Sequence, residues 1–422
     1  MSVILNNVKY IDWKSFKINS TNIKVQDGDN GIIVFSERPF NDDTGKYEII
    51  DCNGNFVMKS FANGHHHVYS ALARGMPPPD KQPGNFIEIL KYIWWNLDRK
   101  LDREIIEASA LFTALDSARN GVTFVIDHHS SPFAIEGSLE TIANAFDKVG
   151  VSHLLCYEIS DRDGEAVTKK AFAETEDYLS NHQGLVGLHA SFTVGDKTLS
   201  KAVEIAEKFN TGIHVHVAED TADEEDSEKK YGKRVIERFA EAGVLESGKT
   251  ILGHCLHLDK KEKQIVAGSP AWVVQNTESN LNNNVGFFDS RGLGENIFSG
   301  TDGMHSDMIR SIQAAYFAGR HFDSINPLSA WKRLRNVHKY LQTNDFKGDG
   351  ENNLIVLDYN PPTPVTSDNL PGHFIYGLRS NDVLHVISKG KVIVKDKKAV
   401  TVDENEIIEH SKEMASKLWS RL

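Results

Sequence analysis

Residues able to hold a cation recur along this chain: His65-His66-His67, Asp127-His128-His129, His189, His214 with His216 and Glu219, His254 and Asp302. Imidazole nitrogens and carboxylate oxygens form a borderline-hard donor set, suited to Zn2+ and also to Fe2+ or Mn2+. A divalent ion held in this way lowers the pKa of bound water from about 15.7 toward roughly 7, which makes hydroxide available at neutral pH. The chemistry to expect is hydrolysis. An H-x-H pair alone is weak support, because two core histidines can be satisfied by packing. Its weight comes from the further ligand-type residues downstream.

Those residues fall at the ends of short apolar runs. The runs are FANGHHH (61–67), VTFVID (122–127), VSHLLCYE (151–158), GLVGLHA (184–190), GIHVHVAE (212–219), TILGHC (250–255), AWVVQN (271–276) and NIFSGTD (296–302). Helical patterns separate them; one, DREIIEASALFTALDSARNG, opens on Asp102 as N-cap and closes on Gly121. Strands alternating with helices pair in parallel through crossovers, and eight such units predict an α/β fold of the (β/α)8 TIM-barrel type. Barrel sites gather where the strands end. The first, second, fourth, fifth, sixth and eighth predicted ends carry His or Asp, a concentration that a purely structural barrel does not need. Residues two apart share a strand face, so His65 and His67 point together into the mouth while His66 points away. On the fifth strand, His214 and His216 remain equivalent at this level.

The ends of the chain have another rhythm. Residues 1–60 hold GIIVFSE and KYEIIDCNGNFV, with Asn53-Gly54 as a hairpin-turn signal, and DVLHVISKGKVIVKDKKAV repeats the alternation later. Both ends read as β-structure without helices. The expected organisation is a composite β-sandwich from 1–60 and 360–422, with the barrel spanning 61–359. Between the last two barrel strands, ESNLNNNVGFFDSRGLGE reads as a functional loop, and DTADEEDSEKK (220–230) reads as a solvated loop and helix start.

Composition narrows the classes. A formal charge of -12 argues against nucleic-acid or anionic-membrane partners, both of which need clustered Lys and Arg. No run approaches a membrane span, and the first residues do not read as a signal peptide. Three scattered cysteines without metal-type spacing fit a reducing compartment, so a cytoplasmic protein is expected.

Taken in order, NGHHH, HVHVAE, GHC and SGTDG on strands one, five, six and eight resemble the amidohydrolase superfamily, in its cytosine/guanine/triazine deaminase branch. HHHVYSALARGM (65–76), NFIEILKYIWWNLDRKL (85–101), VIDHHSSP (125–132), GLHASFTV (187–194) and QNTESNLNNNVG (275–286) look more narrowly like the SsnA-type aminohydrolases. The resemblance implies His65, His67, His216 and Asp302 as metal ligands, His216 being preferred to His214 because the branch uses H-x-x-E. It implies Glu219 and His254 as groups that move protons and contact the attacking water. Binuclear relatives carry a Lys at the end of strand four. GLHASF has none there, which favours one ion, and His189 falls where the branch contacts substrate.

From these groups a mechanism follows. Asp302 accepts a proton from the attacking water, His254 hydrogen-bonds the hydroxide, and Glu219 protonates a ring nitrogen or the leaving amine. The expected substrate is a nitrogen heterocycle such as a purine, pyrimidine or related ring, and the expected product is ammonia. Candidate substrate contacts are His189, His128, His129, Arg74, Asn280 and Trp94. Trp94 and Trp95 sit on a helical pattern that either covers the mouth or packs on the barrel or on a second subunit of a homodimer. The same centre also suits opening of a cyclic amide or displacement of chloride. A catalytically silent scaffold is the remaining reading, opposed by the presence of every ligand and acid. The roles of His66, His214, His257 and His305 are open at this stage.

Overall fold

The computed structural model describes residues 2–29, 31–42 and 44–422. The N-terminal segment supplies β1 (Ser2–Ile11), β2 (Ile18–Val25), β3 (Ile33–Ser36), β4 (Tyr47–Asp51) and β5 (Phe56–Lys59). The eight apolar runs become β6 (Phe61–His66), β7 (Val122–His129), β8 (Ser152–Ile159), β9 (Val186–Ala190), β10 (Ile213–Val217), β11 (Ile251–His254), β12 (Trp272–Gln275) and β13 (Ile297–Ser299). After them come β14 (Leu354–Leu357), β15 (Val383–Ser388), β16 (Lys391–Lys395) and β17 (Lys398–Ala399).

Strands β6 to β13 pair in chain order, each parallel to the next. Both faces of this sheet are covered, which is why its strands read as nearly continuous apolar runs. Ala62, Phe124, Ile126, Leu154, Val274 and Phe298 belong to one buried cluster, joined by Tyr340 of the helix Pro327–Thr343. The helix Arg103–Arg119 begins as expected, with Asp102 accepting the N–H of Ile105 at 3.0 Å.

The barrel closes without a regular ladder. His66 and Asp302 form an isolated parallel bridge, and the His65 carbonyl accepts the N–H groups of both Thr301 and Asp302 at 3.0 Å. Gly300 permits this approach, since a Cβ there would stand 2.8 Å from the Cβ of His65.

The chain ends share one mixed sheet, ordered β17-β16-β15-β14-β5-β1-β2-β3, with β4 also on β1. The hairpin expected at Asn53-Gly54 does not form. Both residues take the positive φ of that turn, 51° and 79°, but β4 and β5 each run parallel to β1. β1 is irregular between Leu5 and Val8, and the Asn7 carbonyl takes the Gly54 N–H at 2.7 Å. The turn therefore carries the chain past an irregularity in its partner. The C-terminal end is not all β either. Ile407, Met414 and Leu418 recur at helical spacing and bury one face of the helix Glu404–Trp419, which packs against Arg103–Arg119.

Two further stretches differ from expectation. The acidic run forms the helix Thr221–Tyr231, and Asp223 and Glu224 are buried rather than solvated. Their oxygens are claimed by backbone donors: Asp223 accepts from Ala218 and Phe192, and Glu224 from Val235. The stretch after β12 opens with a short helix, Thr277–Asn282, before turning irregular. Among the described residues, no helix is long and apolar enough to cross a membrane.

Candidate active site

Four imidazoles at the mouth of the barrel share one arrangement. Each engages Nδ1 with a fixed neighbour and turns Nε2 inward. His67 Nδ1 donates to the His128 carbonyl at 2.6 Å, and His216 Nδ1 donates to the His189 carbonyl at 2.8 Å. His254 Nδ1 bonds Asn280 Oδ1 at 2.7 Å, and His65 Nδ1 meets His214 Nε2 at 2.9 Å. A bond that fixes one ring nitrogen sets the tautomer and frees the other as a donor to a cation.

The inward nitrogens converge. His67 Nε2 lies 3.2 Å from His216 Nε2 and 3.1 Å from Asp302 Oδ1, with His65 Nε2 at 3.7 Å from the same oxygen. His65, His67 and Asp302 offer donor atoms within 4.8 Å of one another, as do His65, His216 and His254. His65 Nε2 and His254 Nε2 are buried with no hydrogen-bond partner among the described residues. Buried nitrogens are seldom left so, and a cation satisfies them. The donor set fits a metal ion.

Burial and neighbouring charge act on these groups in opposite directions. Burial opposes charge on His67, but its bond to Asp302 and the charge of that carboxylate outweigh burial and hold its pKa at about 9. Burial lowers His65 to about 3, and it drives His216 well below its usual range. Glu219 is raised, first by burial and then by the charge of Asp302. It stands 3.5 Å from His254 Nε2, which is 3.7 Å from Asp302 Oδ2. Ala218, His254 and Asp302 all have positive φ, at 44°, 67° and 54°. Non-glycine residues in this region store strain of about 1–3 kcal/mol each and cluster at functional sites.

A cavity opens above this group, lined by His67, His216, Glu219 and Asp302 on one side and by Phe86, Leu90, Trp94 and Trp95 on another. The tryptophans reach it through a local change of helix type. Asn85 caps a short α-turn, Phe86–Ile89, and the chain then widens to a π-turn over Leu90–Trp94. The N–H of Trp95 bonds the Leu90 carbonyl, so residues five apart come into line. Both tryptophans thus face the same space.

The remaining candidates divide. His189 lines the cavity with Nδ1 held by Thr193 Oγ1 at 2.7 Å, and Trp94 lines it too. Asn280 sits behind His254 instead. His128 is buried away from the lining, its Nε2 shared between the carbonyls of Leu188 and His214, and His129 bonds Ser131. Arg74 turns outward onto Asp116 at 3.0 Å. His66 stands 3.4 Å from Ser306, His257 bonds the Val285 carbonyl and His305 bonds Glu278. Sequence reasoning passed over Asp98, Glu158, Ser279 and Asn283, all of which line the cavity. Glu158 carried a usable signal, since it stands one residue before the end of the third barrel strand.

The amidohydrolase family profile matches residues 56–346, and the chain belongs to that family. It is 27% identical over 387 residues to a 5'-deoxyadenosine deaminase of Methanopyrus kandleri, covering 86% of this chain and 87% of the relative. It is 27% identical over 401 residues to a 5-methylthioadenosine/S-adenosylhomocysteine deaminase of Desulforamulus reducens, covering 88% of each. Among solved structures, an adenosine deaminase from Xanthomonas campestris with bound zinc superposes with a TM-score of 0.84 at 17% identity, over 99% of both chains. The zinc complex of atrazine chlorohydrolase from Arthrobacter aurescens gives 0.81 at 16% identity, over 98% of this chain and 100% of that one. These structural likenesses establish the fold.

Proposed function

We propose that this protein is a metal-dependent aminohydrolase that removes an exocyclic amine from a nitrogen heterocycle as ammonia. The observation that carries the reading is the convergence of the inward Nε2 atoms and Asp302, with Glu219 and His254 at the same point. The deaminase relatives support the reaction type and a purine-like ring.

His65, His67, His216 and Asp302 would hold one divalent ion, zinc by its presence in the two fold neighbours, which when bound acts as a Lewis acid and makes hydroxide available at neutral pH. Asp302 turns its second oxygen toward His254, so the pair can take a proton from an attacking water and orient it. Glu219, raised above its ordinary range by burial, is placed to protonate a ring nitrogen, while the proton taken from the water passes on to the leaving amine. A transfer of this kind contributes about 10²–10⁴-fold in rate. His189 is a substrate contact, while Leu90 helps exclude water and Phe86, Trp94 and Trp95 offer flat faces to a planar ring.

The test is ammonia release from a panel of purines, pyrimidines and triazines by protein reconstituted separately with zinc, iron and manganese. Release from one ring class by the metal-loaded protein is expected. Substrate consumption without ammonia would move the assignment to ring opening or to another leaving group, and no reaction with any member would overturn it.

A further inference from the structure

Three neighbouring strands of the barrel, β8, β9 and β10, carry a second group of ligand-type side chains beside the proposed centre. Glu158, His189 and His216 line the cavity, and they offer ligand atoms within 4.8 Å of one another. Both imidazoles are prepared to accept a cation. The Thr193 hydroxyl donates to the Ala190 carbonyl at 3.1 Å, so it accepts from His189 Nδ1 at 2.7 Å and leaves the lone pair of that ring on Nε2. His216 donates from Nδ1 to the His189 carbonyl, which leaves its Nε2 likewise free. The loop that carries Thr193 is fixed in its turn, because Arg238 donates to the carbonyls of Ser191 and Val194 at 3.1 and 2.7 Å.

Glu158 lacks the close donors that a buried carboxylate needs. Arg162 Nη2 stands off at 3.8 Å. The other near group, His128 Nδ1 at 3.5 Å, is itself buried without a hydrogen-bond partner among the described residues. His128 Nε2 faces the carbonyls of Leu188 and His214, at 3.1 and 3.2 Å, and therefore carries the hydrogen of that ring. A carboxylate oxygen and a ring lone pair thus face each other inside the protein. A cation beside Glu158 relieves that arrangement.

His216 belongs to both groups. On one side its Nε2 lies 3.2 Å from His67 Nε2, in the centre that holds His65 and Asp302; on the other it meets Glu158 and His189. An imidazole nitrogen has one lone pair, so His216 serves one ion at a time. With metal–nitrogen bonds of about 2.0–2.1 Å, two positions that share this nitrogen lie within about 4 Å of each other. They also differ in depth. Glu158, His189 and His216 all line the cavity, whereas His65 is fully buried and does not.

We propose that Glu158, His189 and His216 form a way-station for the metal ion: they take a divalent cation from the cavity, and His216 hands it to His65, His67 and Asp302. The inference rests on the proposed centre and adds a route into it. The two positions are alternatives, occupied in succession by one ion. Once the inner position is filled, His189 is released to meet substrate.

The experiment follows Co2+ uptake by metal-free protein in a stopped-flow spectrometer, since the visible absorption of cobalt changes with its ligands. The parent should bind one equivalent in two phases, an early spectrum converting to the final one. Glu158→Gln, nearly isosteric, should reach the same stoichiometry and final spectrum, lose the early phase and load about tenfold more slowly. His189→Ala should do the same. Asp98→Asn removes a carboxylate from the same cavity but none of the three ligands, and it should load as the parent does, which separates ligation from simple attraction. In His65→Ala the outer group should still take one equivalent by calorimetry, more weakly than the parent, and adding Glu158→Gln should abolish it. A single phase whose rate Glu158→Gln leaves unchanged overturns the inference, as does equal slowing in Asp98→Asn or a second equivalent held by the parent at the same time. No cobalt uptake at all would sink the proposed centre together with the route, whereas one-step uptake of one equivalent would sink the route alone.

Discussion

Removing the carbonyl behind His254 separates two roles for Asn280. Asn280→Ala deletes the acceptor of the 2.7 Å bond from His254 Nδ1, and both residues are buried, so water does not readily take its place. A buried polar group left unsatisfied costs about 1–3 kcal/mol. Partners that orient a site imidazole are worth about 10–100-fold in activity. At about 1.36 kcal/mol per tenfold in rate these two scales coincide, and kcat is expected to fall 10- to 100-fold. Asn280 is absent from the cavity lining, so KM should stay within about threefold of the parent. Metal content should also hold, because His254 is not among the four proposed ligands. Asn280→Asp keeps an acceptor oxygen and should recover most of the rate. Steady-state ammonia release with metal analysis on the same samples makes the measurement. A raised KM with kcat intact would mean that Asn280 touches substrate, and the positioning argument would fail.

Other expectations follow from the same geometry. Glu219→Gln should retain metal and lose about 10²–10⁴-fold in turnover, since the carboxyl moves a proton and holds no ion; near-normal turnover refutes that role. Asp302→Ala should lose metal and turnover together, as elemental analysis and the ammonia assay can show. Gly300→Ala should perturb the seam, because its Cβ would meet His65 backbone and side-chain atoms at 2.8 Å. A cost of about 1–3 kcal/mol in urea denaturation is expected from such overpacking. Asp223 gives a pH signature: burial raises its pKa to about 7, above the unfolded value of about 3.9, so its stabilising contribution is full below pH ~4 and is lost as pH rises toward 7. The stability advantage of the parent over Asp223→Asn should therefore shrink between pH 4.5 and 7.5, and a widening gap would contradict the shift.

The barrel was legible because parallel strands buried on both faces leave apolar runs whose last residues stand out when they titrate. His65 and His67 followed from strand parity, and His216 followed from family pattern; the 2.9 Å contact from His214 to His65 explains why the alternative histidine is there at all. Glu158 and Asp98 were missed for different reasons. Glu158 stands near the end of a mostly apolar strand, whereas Asp98 lines the cavity from a segment that follows a π-turn. The partner of Asn280 depends on the short helix Thr277–Asn282, whose Asn-rich sequence reads as irregular. The acidic run misled because burial of Asp223 depends on N–H groups supplied by Phe192 and Ala218, which no local pattern reveals. Asn53-Gly54 predicted its own dihedral angles correctly and its strand partners wrongly.

The closure at His65 carries a consequence for how this protein comes into being. The carbonyl that joins the last strand to the first belongs to a proposed ligand, and one of the amides it receives belongs to another, Asp302. Sequence positions more than two hundred residues apart must meet before the centre is complete, a contact of high sequence separation. A full-length but half-folded chain therefore carries all its histidines and still lacks the centre. The ion, once captured, would act as a clasp on the weakest joint of the barrel, tying the lifetime of the folded state to metal supply.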